Sequence, residues 1–244
     1  MVFDNINFTD EFGNEQKLEF NNYYCVDCME VLKLMPDKSI DLCIVDPPYG
    51  ENCDINSNGN SYVTRNGFSD MYLSHTSAKW NKKPNDDYFL ELFRVSKNQI
   101  IWGGNYFNLP PTSGLIVWNK MQRNFSFGDG ELAWCSIGKA MRIFDLSRGE
   151  MQQENRIHIT QKPVKLYEWI LNNYAKPGDK ILDTHVGSAS SLIACHNLGF
   201  QYIGFELDKE YYEQSLKRLE TVKKQVSILD VIEKKENTQI RMEV

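Results

Sequence analysis

The chain of 244 residues lacks the marks of a membrane or secreted protein. No hydrophobic run approaches the roughly 18 residues that a bilayer span requires. The opening stretch MVFDNINFTDEF carries neither the basic nor the apolar segment of a secretion signal. A soluble, intracellular protein is therefore expected. Cysteine is sparse: Cys25, Cys28, Cys43, Cys53, Cys135 and Cys195 read as reduced thiols rather than a disulfide frame. Cys25 and Cys28 form a CxxC, but no second pair follows and the four histidines are scattered, so no metal site is expected. With 8 Pro and 15 Gly, collagen and low-complexity scaffolds are excluded. Positive charge is in deficit too, 27 basic against 33 acidic residues for a net −6. That balance excludes coating of nucleic acid through a global field and leaves room only for a local basic face.

What is present suits one α/β domain. Hydrophobic residues are 41% of the chain and charged ones 25%, enough apolar surface to build a buried core. YYCVD (23–27) reads as a strand and CMEVLKLM (28–35) as a helix. SIDLCIVD (39–46) is a near-continuous apolar run that stops at a polar cluster, the pattern of a buried parallel strand. Residues 50–84 show no periodicity, and so long an irregular stretch is usually functional or disordered. A helix over 86–96, a strand NQIIW (98–102) ending in Gly103-Gly104 and a strand LIVW (115–118) follow. ELAWCSI (131–137) and AMRIF (140–144) are expected to pair as a hairpin across Gly138-Lys139. Pro163 opens a helix over 164–174. Strand 180–184, loop 185–191, helix 192–198, strand 201–206 and helix 208–220 make the clearest βαβ unit. The expected organisation is one domain over 1–222, with insertions at 50–84 and 120–158 and a polar, peripheral tail at 223–244.

Two segments carry candidate chemistry. At 183–191, Gly187 with Ser188, Ala189 and Ser190 lets backbone approach a ligand at a helix N-terminus. Glu206, at the end of the next strand, is placed either to accept hydrogen bonds from two ribose hydroxyls or to be a solvated strand end. The loop is not GxGxxG, which argues against a nicotinamide dinucleotide. The second segment is Asp46-Pro47-Pro48-Tyr49-Gly50. Consecutive prolines fix φ twice and donate no backbone hydrogen bonds, so the Pro47 carbonyl points in one direction. Asp46 and that carbonyl can take both hydrogens of a planar amino group, while Tyr49 offers a face to an aromatic base. The other reading of this segment is a rigid surface turn.

Residues 23–50, QIIWGGNYF (99–107), HITQKPVKLYEWIL (158–171) and 181–219 resemble the DNA amino-methyltransferases that use S-adenosylmethionine. Asp-Pro-Pro-Tyr near the N-terminus and the cofactor loop near the C-terminus are similar to the permuted β class of adenine-N6 methyltransferases. The resemblance spans roughly residues 20–220. It implies a doubly wound, mostly parallel Rossmann-like sheet with circularly permuted motif order, in which the strands ending at Asp183 and Asp46 are neighbours at the topological switch point. It implies that Asp183, His185, Gly187 and Ser188 lie along the methionine part of S-adenosylmethionine, that Glu206 holds the ribose and that Asp27 approaches the adenine ring. Thr160 and Lys162 would pack near the methionine end, although Lys162 reads equally as an exposed lysine. Asp46, Pro47, Pro48 and Tyr49 would grip the target base. Trp102 and Asn105 read as pocket or as packing. The implied setting is bacterial or bacteriophage cytoplasm.

This sequence departs from the family pattern Asp-Pro-Phe-x-Gly-Ser-Gly. It reads Asp183-Thr184-His185-Val186-Gly187-Ser188-Ala189, with His185 expected to stand in for an aromatic. Ala189 replaces a glycine and puts cofactor affinity in question. The implied partner is double-stranded DNA, with Arg65, Lys79, Lys82, Lys83, Arg123, Lys139, Arg142, Arg148 and Arg156 as candidates for phosphate contact. Neither insertion is large, which points to a short target or to a homodimer that shares recognition. N4-cytosine transfer is the nearest rival, with Asp46 favouring adenine; a catalytically silent relative is the rival from another class. Methylation of RNA or protein glutamine is less well supported.

Overall fold

The computed structural model describes residues 3, 5–50, 82–123, 128–151 and 161–242. A short antiparallel hairpin of β1 (Asn7–Thr9) and β2 (Glu15–Lys17) leads into an eight-stranded sheet. The remaining strands in chain order are β3 (Asn22–Cys25), β4 (Ile40–Val45), β5 (Ser96–Trp102), β6 (Gly114–Asn119), β7 (Gly130–Cys135), β8 (Arg142–Asp145), β9 (Lys180–Asp183) and β10 (Gln201–Glu206). Across the sheet their order is β3-β10-β9-β4-β5-β7-β6-β8. From β3 to β5 every pairing is parallel. β7 runs antiparallel to both its neighbours, and β8 lies parallel to β6.

Both faces of the parallel strands are covered, which is why these strands read as continuous apolar runs rather than as alternation. Leu42, Ile44, Ile100 and Trp102 belong to one core layer, whereas Cys43, Val45, Ile101 and Leu182 belong to the other. All are at most 1% exposed, and each Leu, Ile or Val so buried contributes about 1.5–3 kcal/mol. Helix α1 (Cys28–Leu32) is capped by Asp27, whose carboxylate accepts from the Met29 amide at 2.9 Å. Helix α2 (Asp86–Val95) is capped by Asn85 and turns Tyr88, Phe89, Leu92 and Val95 inward. Helix α3 (Val164–Tyr174) buries Leu166, Tyr167, Ile170, Leu171 and Tyr174. Helix α4 (Ser190–Leu198) closes on Gly199 in the left-handed region, and helix α5 spans Lys209–Met242.

The expected neighbours pair: β9 and β4 are hydrogen-bonded side by side, Leu42 opposite Ile181 and Cys43 opposite Leu182. From β9 the chain crosses by α4 to β10 on one side, and from β4 by α2 to β5 on the other. The winding reverses between β9 and β4, and the carboxyl ends of strands at such a switch point are where open α/β sheets bind ligands.

One expectation is corrected. The strands at 131–137 and 140–144 do not form a hairpin. β7 has both edges filled, by β5 and by β6, so β8 pairs instead with the far edge of β6. The antiparallel partner of β7 that precedes it in the chain is β6. Beyond residue 222, α5 continues to Met242. No Pro or Gly occurs after residue 208, and a run rich in Lys, Glu and Leu supplies nothing that ends a helix.

Candidate active site

The carboxyl ends of four adjacent strands, β3, β10, β9 and β4, each present an acidic side chain: Asp27, Glu206, Asp183 and Asp46. The order follows from the topology alone, since these residues end or closely follow their strands.

Glu206 is buried and accepts two backbone N–H groups, from Gly187 at 2.8 Å and from Asp208 at 3.0 Å. Each oxygen keeps a second lone pair for a ligand hydroxyl. Burial raises the Glu206 carboxyl above its ordinary value, against the two amides that favour the charge. The glycine loop is held across the end of β10, with the Val186 amide donating to the Phe205 carbonyl at 3.1 Å. Gly187 sits at φ +54°, a conformation that glycine takes without penalty. Arg218 of α5 donates to the Ser188 carbonyl at 2.7 Å, and Ser188 and Ser190 share a hydrogen bond.

Asp183 is 1% exposed and accepts from Ser191 Oγ at 2.5 Å and from the His185 amide at 3.0 Å. Burial dominates over these hydrogen bonds and, with Asp46 and Glu206 nearby, pushes its carboxyl up to about 7. The His185 ring stands edge-on to Tyr88, centroids 5.3 Å apart, and its Nδ1 lies 2.9 Å from Thr184 Oγ1. Burial pushes the imidazole down to about 4, so at neutral pH it is an uncharged ring packed as an aromatic would be.

Ala189 takes φ +62°, ψ +18° as the residue before α4, and it is fully buried. An L-residue there costs about 1–2 kcal/mol. Replacing it by glycine removes that strain but also removes a buried methyl worth about 0.8 kcal/mol and frees the unfolded chain by about 0.4–1 kcal/mol. The sums nearly cancel. Ala189→Gly is therefore expected to change unfolding free energy by less than about 1 kcal/mol, measured by urea denaturation; a larger gain would mean that the turn is more strained than its φ indicates.

At the end of β4, both oxygens of Asp46 are engaged. Oδ1 accepts from the Tyr49 hydroxyl at 2.7 Å, and Oδ2 accepts from the Lys162 ammonium. Desolvation beside Asp46 pushes the Tyr49 phenol far above its ordinary value, so it stays a donor. The Tyr49 ring stacks on Tyr106, with centroids 4.9 Å apart and planes 20° from parallel. That packing requires a glycine at 103: a Cβ there would lie 2.2 Å from Tyr49 Cε1, and the residue has φ +64°.

Lys162 is not an exposed lysine. It is 3% exposed, lies 3.1 Å from Glu131 Oε2 as well as against Asp46, and holds its ammonium 5.0 Å from the centre of the Trp102 ring. Burial opposes its charge, yet Asp46 and Glu131 more than offset this and raise its pKa above the ordinary lysine value. Glu131 lies in turn 2.7 Å from Lys120, and the two ammonium groups hold its carboxyl below the usual range despite burial. Trp102 is fully buried packing, while the neighbouring Asn105 is exposed.

Among the sequence candidates, Asp46, Pro47, Pro48 and Tyr49 lie at one end of the strand-end row, Asp183, His185, Gly187 and Ser188 at the next strand, and Glu206 and Asp27 beyond. Asp27 serves as a helix cap. Thr160 lies outside the described residues, as do Arg65, Lys79, Arg156 and most of the insertion at 50–84. Lys82, Lys83, Arg123, Lys139 and Arg142 are exposed. Glu131 and Tyr106 were not legible as site residues. Tyr106 had a signal, in GGNYF directly after the strand, whereas Glu131 had none.

Several known proteins are similar to this chain. Residues 117–217 match the N6_N4_Mtase family, described as DNA methylase. The type II methyltransferase M.HinfI of Haemophilus influenzae is 26% identical over 250 residues, covering 81% of this chain and 67% of that protein. The DNA adenine methyltransferase YhdJ of Escherichia coli (strain K12) is 25% identical over 255 residues, covering 86% of this chain and 84% of its own length. Among solved structures, the cytosine-N4-specific PvuII DNA methyltransferase superposes with a TM-score of 0.53 at 16% identity, covering 84% of this chain and 91% of that one; a likeness of this kind speaks to the fold.

Proposed function

We propose that this chain, whose residues 117–217 match the N6/N4 DNA methylase family, transfers a methyl group from S-adenosylmethionine to N6 of an adenine flipped out of double-stranded DNA. The observation that carries this reading is the stiff Asp46-Pro47-Pro48-Tyr49 turn at the switch point, one strand away from the glycine loop of β9. The relative named as a DNA adenine methyltransferase, YhdJ, supports it.

The acceptors along the strand ends fit the cofactor. A sulfonium and an α-ammonium are positive and a ribose offers two hydroxyls, all of which are met by carboxylates. Glu206 would hold the ribose and Asp27 would approach the adenine ring, while Asp183, His185, Gly187 and Ser188, with Thr160, would line the methionine part. When bound, S-adenosylmethionine would supply an electrophilic methyl group: the N–C bond forms as the C–S bond breaks, the electron pair stays on sulfur and an amino proton is lost by way of the Asp46 carboxylate to solvent.

The chain's own residues do the rest. The N6 nitrogen is a poor nucleophile because its lone pair is shared with the ring. Asp46 accepts one amino hydrogen and the Pro47 carbonyl the other, drawing the nitrogen towards tetrahedral geometry and favouring the positive charge that develops. A base within a duplex cannot reach the strand ends, so it must be extruded, and the Tyr49 face offsets part of the few kcal/mol of unstacking. Recognition falls to the segments 50–84 and 120–158 of a single catalytic domain, shared between two copies in a homodimer. The setting is the bacterial cytoplasm, which the bacterial relatives support; no helix among the described residues is long and apolar enough to cross a membrane.

The test is expression in a methylation-free bacterial host, with modified bases mapped across the host DNA. N6-methyladenine at one short motif is the expected result. N4-methylcytosine at such a motif would replace the reading with its nearest rival, and DNA without modified bases would overturn it.

A further inference from the structure

We propose that Lys162 is a positioning residue for Asp46, held to that task by Glu131 and by the face of Trp102. This inference rests on the reading of Asp46 as acceptor of the amino hydrogens. It assigns Lys162 to the base-gripping turn rather than to the cofactor's methionine end.

A lysine that is 3% exposed is rare unless its charge is paired. Its ammonium has three donors and no acceptor. One hydrogen goes to Asp46 Oδ2, one faces Glu131 Oε2 at 3.1 Å, and the remaining side of the group lies over Trp102. Asp46, Glu131 and the Trp102 ring thus surround the ammonium with groups of the protein itself. Glu131 is itself braced by Lys120 at 2.7 Å, and Lys120 lies 5.0 Å from the Trp118 ring centre. The result is an alternating chain, Asp46–Lys162–Glu131–Lys120, that ties the end of β4 to the approach to α3, to β7 and to the end of β6.

What this chain fixes is a direction. Asp46 receives Tyr49 on one oxygen and Lys162 on the other, which sets the carboxylate plane and leaves a lone pair on each oxygen for substrate. Without Lys162, two carboxylates would face each other in a poorly hydrated place, and Asp46 would turn towards water. Glu131 keeps the ammonium from following any other partner.

The experiment separates kcat from KM and asks for rescue. Lys162→Met is expected to lower kcat about 100-fold, as a displaced catalytic group does, with KM for S-adenosylmethionine and for DNA within about threefold. Lys162→Arg, which restores a cation with several donors, should recover at least about tenfold of the loss. A Lys162→Met variant whose defect is confined to the KM for S-adenosylmethionine would overturn the inference and return Lys162 to the cofactor. So would an arginine variant that folds but works no better than the methionine one.

A second measurement needs no substrate. In urea unfolding of the full chain, the midpoint shifts of Asp46→Asn and Lys162→Met should not add: the double variant is expected to lie closer to wild type than the sum of the single shifts. Additive shifts would dissolve the pair. Absence of adenine methylation by the wild-type protein would instead overturn the functional reading, while the unfolding cycle decides the pair by itself.

Discussion

Asp46→Ala should abolish all but a trace of methyl transfer, lowering kcat by about 10²–10³-fold, the usual cost of removing one preorganised group aimed at developing charge. The loss should fall on the chemical step. The Pro47 carbonyl still takes one amino hydrogen and Tyr49 still stacks, so the base should bind, but its nitrogen stays flat and its lone pair stays in the ring. The variant should also fold. Removing Asp46 leaves Lys162 beside Glu131, so no buried charge is stranded, unlike the removal of the lysine. Single-turnover kinetics on a duplex bearing the target motif, paired with calorimetry of cofactor binding, checks both halves. A kcat within tenfold of wild type would mean that the turn positions the base without activating it.

Glu206→Gln should act on affinity instead. The carboxylate accepts the Gly187 and Asp208 amides on its two oxygens, so it shapes the loop as well as presenting lone pairs to the ribose. A glutamine keeps only one acceptor oxygen and turns an NH₂ group towards one of those amides. Charged hydrogen bonds are worth about 1.5–3 kcal/mol each, which corresponds to a Kd for S-adenosylmethionine raised roughly 10–100-fold. At saturating cofactor, kcat should change less than about threefold, because nothing near the transferred methyl has moved. Calorimetric titration reads the first quantity and steady-state kinetics the second. An unchanged Kd would assign Glu206 to loop architecture alone.

The contrast between these residues and Glu131 shows where sequence reasoning reaches and where it ends. Asp46, Asp183 and Glu206 each stand at the end of an apolar run, and a parallel strand places the end of its run at the carboxyl edge of the sheet; local pattern was enough. The pairing of β9 with β4 followed from motif order on a doubly wound sheet. Glu131 stands instead at the start of its strand. It reaches the same edge because β7 runs antiparallel to β5, with Trp102 opposite Ala133, so its first residues lie beyond the last ones of β5. Strand direction at the far side of a sheet is decided by which edges are free, a non-local matter that periodicity does not encode. The same blind spot produced the hairpin expected at 138–139. Lys162 was visible as a residue but not as a buried one, since its burial depends on Trp102 and Glu131 arriving from strands 30 to 60 positions away.

The row of strand-end carboxylates has a thermodynamic consequence in bulk solution. Asp183, with its carboxyl pushed up to about 7, is largely protonated in mildly acid buffer when its neighbourhood is empty. A cation arriving beside it favours the ionised form, so binding should expel a proton below about pH 7. The Kd for S-adenosylmethionine should therefore rise as pH falls from about 7, by up to tenfold per pH unit, and level off above it. Titrations at about pH 6 in buffers of different ionisation enthalpy should show heats that scale with that enthalpy, the slope counting protons shed per molecule bound, while at about pH 8.5 the slope should vanish. The acidic edge would then act as a proton exchanger, trading hydrogen ions for its positively charged guest.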